Sequence, residues 1–335
     1  MVVPLLQFAA CATVIIIAGT FLSKYADAVA ELTGLGRLLV GSVLLAGATS
    51  LPELTVDVSA VRLGAVDLAV GDLVGSSLMN LLILALLDLS RHSRGRMLSK
   101  QGAAHALSGS VSAALTCLVG LGLLTGKTLG NYEVLWFQPA ILAVALAYLF
   151  GVRLVYLDQR IAQRTATEQG IAVHEPAVGI SLGKALGGFA ICAAAILLAG
   201  PFLAEAADKL AEETGLGGTF VGTTLVAFST SLPELVSSLA AVRLGAHDLA
   251  IGNVFGSNAF NMILLAPLDA VHSGPLLAAA SASHAITCLA VILATLVAVM
   301  GQLYQSESRI RFIEPDAWLV MLIVFAALAL VYFSR

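Results

Sequence analysis

A proline and a glutamate sit in the middle of a long apolar stretch at Thr49-Ser50-Leu51-Pro52-Glu53-Leu54, and the same run returns 181 positions later as Thr230-Ser231-Leu232-Pro233-Glu234-Leu235. Proline has no amide hydrogen, so Pro52 releases the carbonyl of Ala48 from its helical bond, and Pro233 releases that of Ser229. Thr49, Ser50, Thr230 and Ser231 add hydroxyls at the same breaks. Glu53 follows Ser50 by three residues and Thr49 by four, which puts these oxygens on one helix face. A set of carbonyl, hydroxyl and carboxylate oxygens suits calcium, sodium or another hard cation far better than a thiophilic metal.

The next apolar stretch repeats the logic. Ser76 and Asn80 lie one helical turn apart, Ser257 and Asn261 match them, and Gly71, Gly75, Gly252 and Gly256 permit close backbone approach. Arg37 and Arg62 bracket the first motif, and their midpoint falls between Thr49 and Ser50. Glu53 is then within about 5 Å of the bilayer centre at 1.5 Å per residue. An ionised carboxylate there costs about 2.5 to 3.5 kcal/mol on insertion scales, so it needs a cation or a proton beside it. Only Arg153 and Lys184, at the ends of their stretches, fall within an apolar run, and neither lies in a motif stretch, so Glu53 and Glu234 are not explained as partners of basic side chains.

The elements that must hold these residues follow from composition. With 59% hydrophobic and 11% charged residues in a chain of 335, the apolar side chains cannot be hidden inside a soluble globule. The fold class is all-α: a polytopic membrane protein with ten transmembrane helices. The candidate spans are residues 3–22, 38–61, 67–89, 103–125, 134–156, 183–204, 218–242, 248–271, 276–300 and 316–333. The continuous Leu, Ala, Val and Gly runs lack the alternation of a β-barrel. Of the 17 Lys and Arg residues, only Arg62, Lys127, Lys209 and Arg335 fall on the extracytoplasmic side when both termini lie outside.

Five spans per copy is an odd number, so the second copy must enter the bilayer upside down. The expected organisation is a first inverted repeat at 1–157, a cytoplasmic linker at 158–182 and a second inverted repeat at 183–335, with motif regions 46–88 and 227–269. His105 and His284 fall near the starts of the fourth and ninth spans, outside the repeated site, and read as structural rather than as a proton relay. Cys11, Cys117, Cys192 and Cys288 show no metal-binding spacing and read as packing residues. The first apolar run has no basic region before it and reads as a retained span.

The duplicated T-S-L-P-E-L with its G-S-x-x-x-N partner resembles the defining repeats of the sodium/calcium exchanger, or cation/calcium antiporter, superfamily in its prokaryotic form. The resemblance implies Glu53 and Glu234 as central ligands shared by calcium and sodium. It implies side-chain oxygens from Ser50, Ser231, Ser76 and Ser257, backbone carbonyls from Ala46, Thr49, Ala227 and Thr230, and a centre lined by Asn80 and Asn261. It also implies that the first and sixth spans, around Ala18-Gly19 and Ala199-Gly200-Pro201, slide as a pair to open the site alternately to each side.

Two departures stand out. Both amide positions are Asn, where relatives can carry an Asp, so the centre holds two carboxylates, and potassium dependence is not expected. Asp57 aligns with Ser238, and Asp72 with Asn253, where the superfamily usually has Asn in both copies. The expected function is secondary active exchange of calcium for sodium by alternating access, not an enzymatic activity. A proton-coupled divalent-cation antiporter of the same fold is the alternative, since two carboxylates balance one calcium ion or two protons; a passive channel fits helix breaks and inverted repeats less well. The expected partners are calcium, sodium or protons and the lipid bilayer of the plasma or inner membrane. No cofactor, nucleic acid or obligate protein partner is expected.

Overall fold

The computed structural model describes residues 2–90, 102–129, 138–168, 179–213, 228–303 and 315–333. Its helices are α1 (Val2–Thr33), α2 (Arg37–Thr49), α3 (Leu51–Arg62), α4 (Val66–Ser90), α5 (Gly102–Leu129) and α6 (Pro139–Glu168) in the first half. The second half contributes α7 (Leu182–Glu213), α8 (Leu232–Arg243), α9 (His247–Val271), α10 (Leu276–Ala279), α11 (His284–Leu303) and α12 (Pro315–Phe333). Among the described residues there is no strand. Seven of these helices are long and apolar enough to cross a membrane, and the bent pair α2–α3 forms an eighth candidate.

The expected set of ten spans is altered in several places. The candidate span 218–242 is described only from residue 228, and α12, at 19 residues, is a shorter apolar helix. The candidate 276–300 is divided: α10 ends at Ala279, residues 280–283 turn, and the long helix starts at His284. Several helices also outrun their apolar stretches. α1 continues past residue 22 to Thr33, where Arg37 of α2 pairs with Asp27 and Glu31 on its last turns. α6 runs to Glu168, so the segment expected to be linker from 158 begins as helix.

Burial is inverted relative to a soluble protein. α4 and α9 are largely buried at the centre, whereas α1, α6 and α7 leave most of their apolar side chains outside, among them Ile17, Leu149, Phe150, Ile191 and Leu198. That apolar exterior is the lipid-facing surface, and the polar residues turn inward. The chain belongs to a multi-pass membrane protein.

The repeated Val-Arg-Leu-Gly-Ala stops a helix in each copy. Gly64 and Gly245 adopt φ of 81° and 78°, a left-handed conformation that favours glycine. The Ala65 amide then bonds the Ala60 carbonyl at 2.9 Å and the Gly64 amide bonds Val61 at 3.0 Å, and Ala246 and Gly245 repeat both bonds to Ala241 and Val242. This is the Schellman closure, and it aims α4 and α9 back beside the helices they follow.

Glycine sets how closely α2 meets α9. A Cβ on Gly256 would lie 2.4 Å from the Ser42 Cα, and one on Gly252 would lie 2.5 Å from the Leu38 carbonyl oxygen. These are backbone atoms that cannot swing aside. The residues 41–45 of α2 that face this contact form a π-helical turn. Gly256→Ala is therefore expected to destabilise the protein by about 1 to 3 kcal/mol, the usual range for overpacking, visible as a lower melting temperature in detergent. An unchanged melting temperature would mean that the two helices are free to separate.

Two histidines clasp the halves together. His105 at the start of α5 meets Asp248 at the start of α9 (Nε2 to Oδ1, 3.0 Å), and His284 at the start of α11 meets Asp67 at the start of α4 (3.1 Å). Asp67 and Asp248 are 181 residues apart, so the contact is made once in each direction between the repeats.

Candidate functional site

Both motifs break their helices at the serine before the leucine. Ser50 has φ −89° and ψ 4°, Ser231 has φ −83° and ψ 5°, and α2 and α3 meet at 44°. Pro52 and Pro233 then sit in the first turn of α3 and α8, where a missing amide hydrogen costs no bond. Glu53 and Glu234 follow in that same first turn, where the positive end of the helix favours a carboxylate. Both glutamates are 0% exposed.

The two motif copies meet. The Ser50 hydroxyl donates to Glu234 Oε1 at 3.3 Å, and the Ser76 and Ser231 hydroxyls lie 3.3 Å apart. Glu53 is within electrostatic reach of Glu234, Asp72 and Asp57. Ser257, Thr49, Thr230 and Ala46 are buried as well. The Thr49 hydroxyl donates within its own helix, to the carbonyls of Leu45 at 3.1 Å and Ala46 at 3.2 Å. The Ala46 carbonyl also accepts the Ser50 amide at 3.0 Å, so it is already engaged by two donors. Ala227 lies outside the described residues.

The hydrogen bonds use up donors and leave acceptors. Asn80 Nδ2 donates to Asn258 Oδ1 at 3.0 Å, Asn258 Nδ2 donates to the Ser77 carbonyl at 3.1 Å, and Asn261 Nδ2 donates to the Leu73 carbonyl at 3.4 Å. Left without a partner around the two glutamates are Glu53 Oε1 and Oε2, Glu234 Oε2, Asn80 Oδ1, Asn261 Oδ1 and Ser257 Oγ, with Asp57 Oδ2 and Asp72 Oδ2 further along the first repeat. Every member of that set is an oxygen. Orphaned buried polar atoms are rare in folded proteins, and several in one locus, three of them on fully buried carboxylates, call for a cation, a proton or water among them. No ion pair among the described residues involves Glu53 or Glu234.

One polar residue of this region, Asn258, went unread in the sequence, and Asn253 entered there only as the counterpart of Asp72. Asn258 stitches α9 to α4 through Asn80 and Ser77, and Asn253 donates to the Ser238 hydroxyl at 2.9 Å while its Oδ1 lies 3.5 Å from the Thr49 hydroxyl. The available signal was an amide at midspan in a helix buried on all sides, since only a partnered polar group survives there. Asn258→Ala removes both bonds and is expected to destabilise the protein by about 1 to 3 kcal/mol, at roughly 1 kcal/mol per lost bond, which a lower melting temperature of the purified protein would show.

Residues 3–157 and 184–333 match the family model described as sodium/calcium exchanger protein. The chain is 29% identical over 273 residues to the inner membrane protein YrbG of Escherichia coli, covering 78% of this chain and 79% of that protein. It is 42% identical over 90 residues to the sodium/calcium exchanger MaX1 of Methanosarcina acetivorans, covering 25% of this chain and 26% of that one. Among solved structures, the sodium-calcium exchanger NCX_Mj soaked with 10 mM sodium superposes with a TM-score of 0.70 at 18% identity, over 98% of this chain and 99% of that one. At this identity the superposition speaks to the fold alone.

Proposed function

Since the chain belongs to the sodium/calcium exchanger family, we propose that it exchanges calcium for sodium across the plasma or inner membrane by alternating access to one midplane site. The observation that carries this reading is the convergence of unpartnered oxygens from both motif copies, with the glutamates at their centre. Glu53 and Glu234 hold calcium, or sodium in its place. Ser50, Ser76, Ser231 and Ser257 serve flanking sodium ions together with the carbonyls of Ala46, Thr49, Ala227 and Thr230, and Asn80 and Asn261 line the centre. Catalysis of a chemical reaction plays no part.

Ten spans in two inverted five-helix repeats, with both termini outside, is the arrangement that goes with this function. The motif helices and their Schellman stops recur at the same 181-residue offset, which supports it. Access alternates by sliding of α1 with α7. Among the described residues these two helices form the most extensive helix pair, and each meets the broken helix of the other repeat, α1 against α8 and α7 against α3. They do so through equivalent glycines: Gly19 faces Val236 and Ser237, and Gly200 faces Pro52.

A proton-coupled reading is favoured by one observation, that both central amide positions are Asn, so two carboxylates balance one calcium ion or two protons. The deciding experiment is calcium-45 uptake into proteoliposomes at clamped potential, driven by an outward sodium gradient or by an outward proton gradient, with Glu53→Gln as the control. Uptake driven by sodium supports the exchanger; uptake driven only by protons replaces it with the proton-coupled antiporter.

A further inference from the structure

One helical turn beyond each motif glutamate the two repeats differ. In the second repeat the position is neutral and satisfied: Asn253 on α9 donates to the Ser238 hydroxyl on α8 at 2.9 Å, and both residues are 0% exposed. Shifting by 181 residues converts Ser238 to Asp57 on α3 and Asn253 to Asp72 on α4. α3 packs on α4 as α8 packs on α9, so the same rung of the first repeat holds two carboxylates where the second holds an amide bonded to a hydroxyl.

This acidic rung is buried and incomplete. Asp57 is 1% exposed, it interacts electrostatically with Asp72, and Oδ2 of each is buried without a hydrogen-bond partner. Among the described residues neither forms an ion pair with Lys, Arg or His. Ionised carboxylates only accept hydrogen bonds, so this pair cannot satisfy itself as Asn253 and Ser238 do. Asp72 as a residue is only partly buried, although its Oδ2 is enclosed.

We propose that Asp57 and Asp72 form a second cation site, present in the first repeat alone, that takes a divalent ion such as calcium between its two carboxylates. This inference rests on the central site proposed above and adds an ion to it. Two charges match one divalent ion, and water completes the six to eight oxygens that calcium requires. Asp57 lies between Glu53 and the Arg62 end of α3, whereas Ser238 lies between Glu234 and the Arg243 end of α8. In an inverted arrangement the acidic rung therefore serves only one of the two access paths, and the two membrane faces present unequal affinity for divalent cations.

The test is equilibrium dialysis of the purified full-length protein against calcium-45 in sodium-free buffer. The key variant is Asp57→Ser with Asp72→Asn, which installs the pair that the second repeat already packs. Wild type is expected to bind two equivalents, the double variant one, and Glu53→Gln to keep only the equivalent at the Asp pair. The isosteric single change Asp72→Asn is expected to weaken the second class at least tenfold. Two equivalents in the double variant, or one in wild type, would overturn the second site and leave the pair sharing a proton. One equivalent lost in the double variant but none in Glu53→Gln would uphold the pair and sink the central-site reading instead.

Discussion

Glu53→Gln and Glu234→Gln are each expected to abolish calcium transport while leaving the protein folded and inserted. The change keeps the size of the side chain and its place in the first helical turn, so packing has no reason to fail. What it removes is one of the two motif charges at a fully buried site, where the amides and hydroxyls beside them are neutral and Asp57 and Asp72 lie further along the first repeat. At an effective dielectric near 20, two unit charges 4 Å apart attract by about 4 kcal/mol, and calcium carries two such charges. A loss of more than about a hundredfold in calcium affinity follows, since each 1.4 kcal/mol is tenfold. Calcium-45 flux in proteoliposomes at matched protein content is the measurement. Wild-type flux in either variant would mean that the two motif copies do not share an ion.

The second large effect is expected at Gly200. A Cβ there would lie 2.4 Å from the Pro52 Cβ and 2.8 Å from its Cγ, and the proline ring has no rotamer into which it can retreat. The equivalent Cβ at Gly19 would lie 3.0 Å from the Val236 Cγ1, the tip of a side chain that can turn. Gly200→Ala is therefore expected to hold α7 away from α3, reducing flux by roughly fivefold to a hundredfold for the 1 to 3 kcal/mol that overpacking costs. Gly19→Ala is expected to cost much less. Calcium binding to the purified protein should survive in both, because neither glycine supplies a ligand. Equal losses of flux in the two variants would show that the close approach to Pro52 plays no special part in the motion.

The motif residues were legible because a carboxylate, a proline and hydroxyls at helical spacing inside an apolar run have few structural uses, and a second copy removes chance. Glu53 and Glu234 are buried together as that pattern implies. Helix lengths were not legible in the same way. Hydropathy marks where side chains meet lipid, whereas α1 is continued past its apolar stretch by the Asp27 and Glu31 contacts with Arg37. The division of the 276–300 stretch escaped because Leu276–Ala279 is as apolar as the helix that follows it. The histidine clasps could not be read at all. Their partners are 143 and 217 residues distant, and nothing local to His105 or His284 points to Asp248 or Asp67. Asn258 was missed for a related reason, since its repeat counterpart Ser77 contributes a backbone carbonyl rather than a side chain.

The crossing bonds Ser50 to Glu234, Ser76 to Ser231, Asn80 to Asn258 and His284 to Asp67 all join one half of the chain to the other. During synthesis this means that the first half enters the bilayer with Glu53 buried among groups whose partners have not yet left the ribosome. A carboxylate in that position carries an insertion penalty of about 2.5 to 3.5 kcal/mol until the second half arrives. Biogenesis of this protein is thus a waiting problem: the early helices must be sheltered by the insertion machinery or remain loosely settled until the late ones close over them. A chain cut between the halves leaves two pieces, each carrying polar groups that only the other can answer, which is the condition quality-control proteases are equipped to notice.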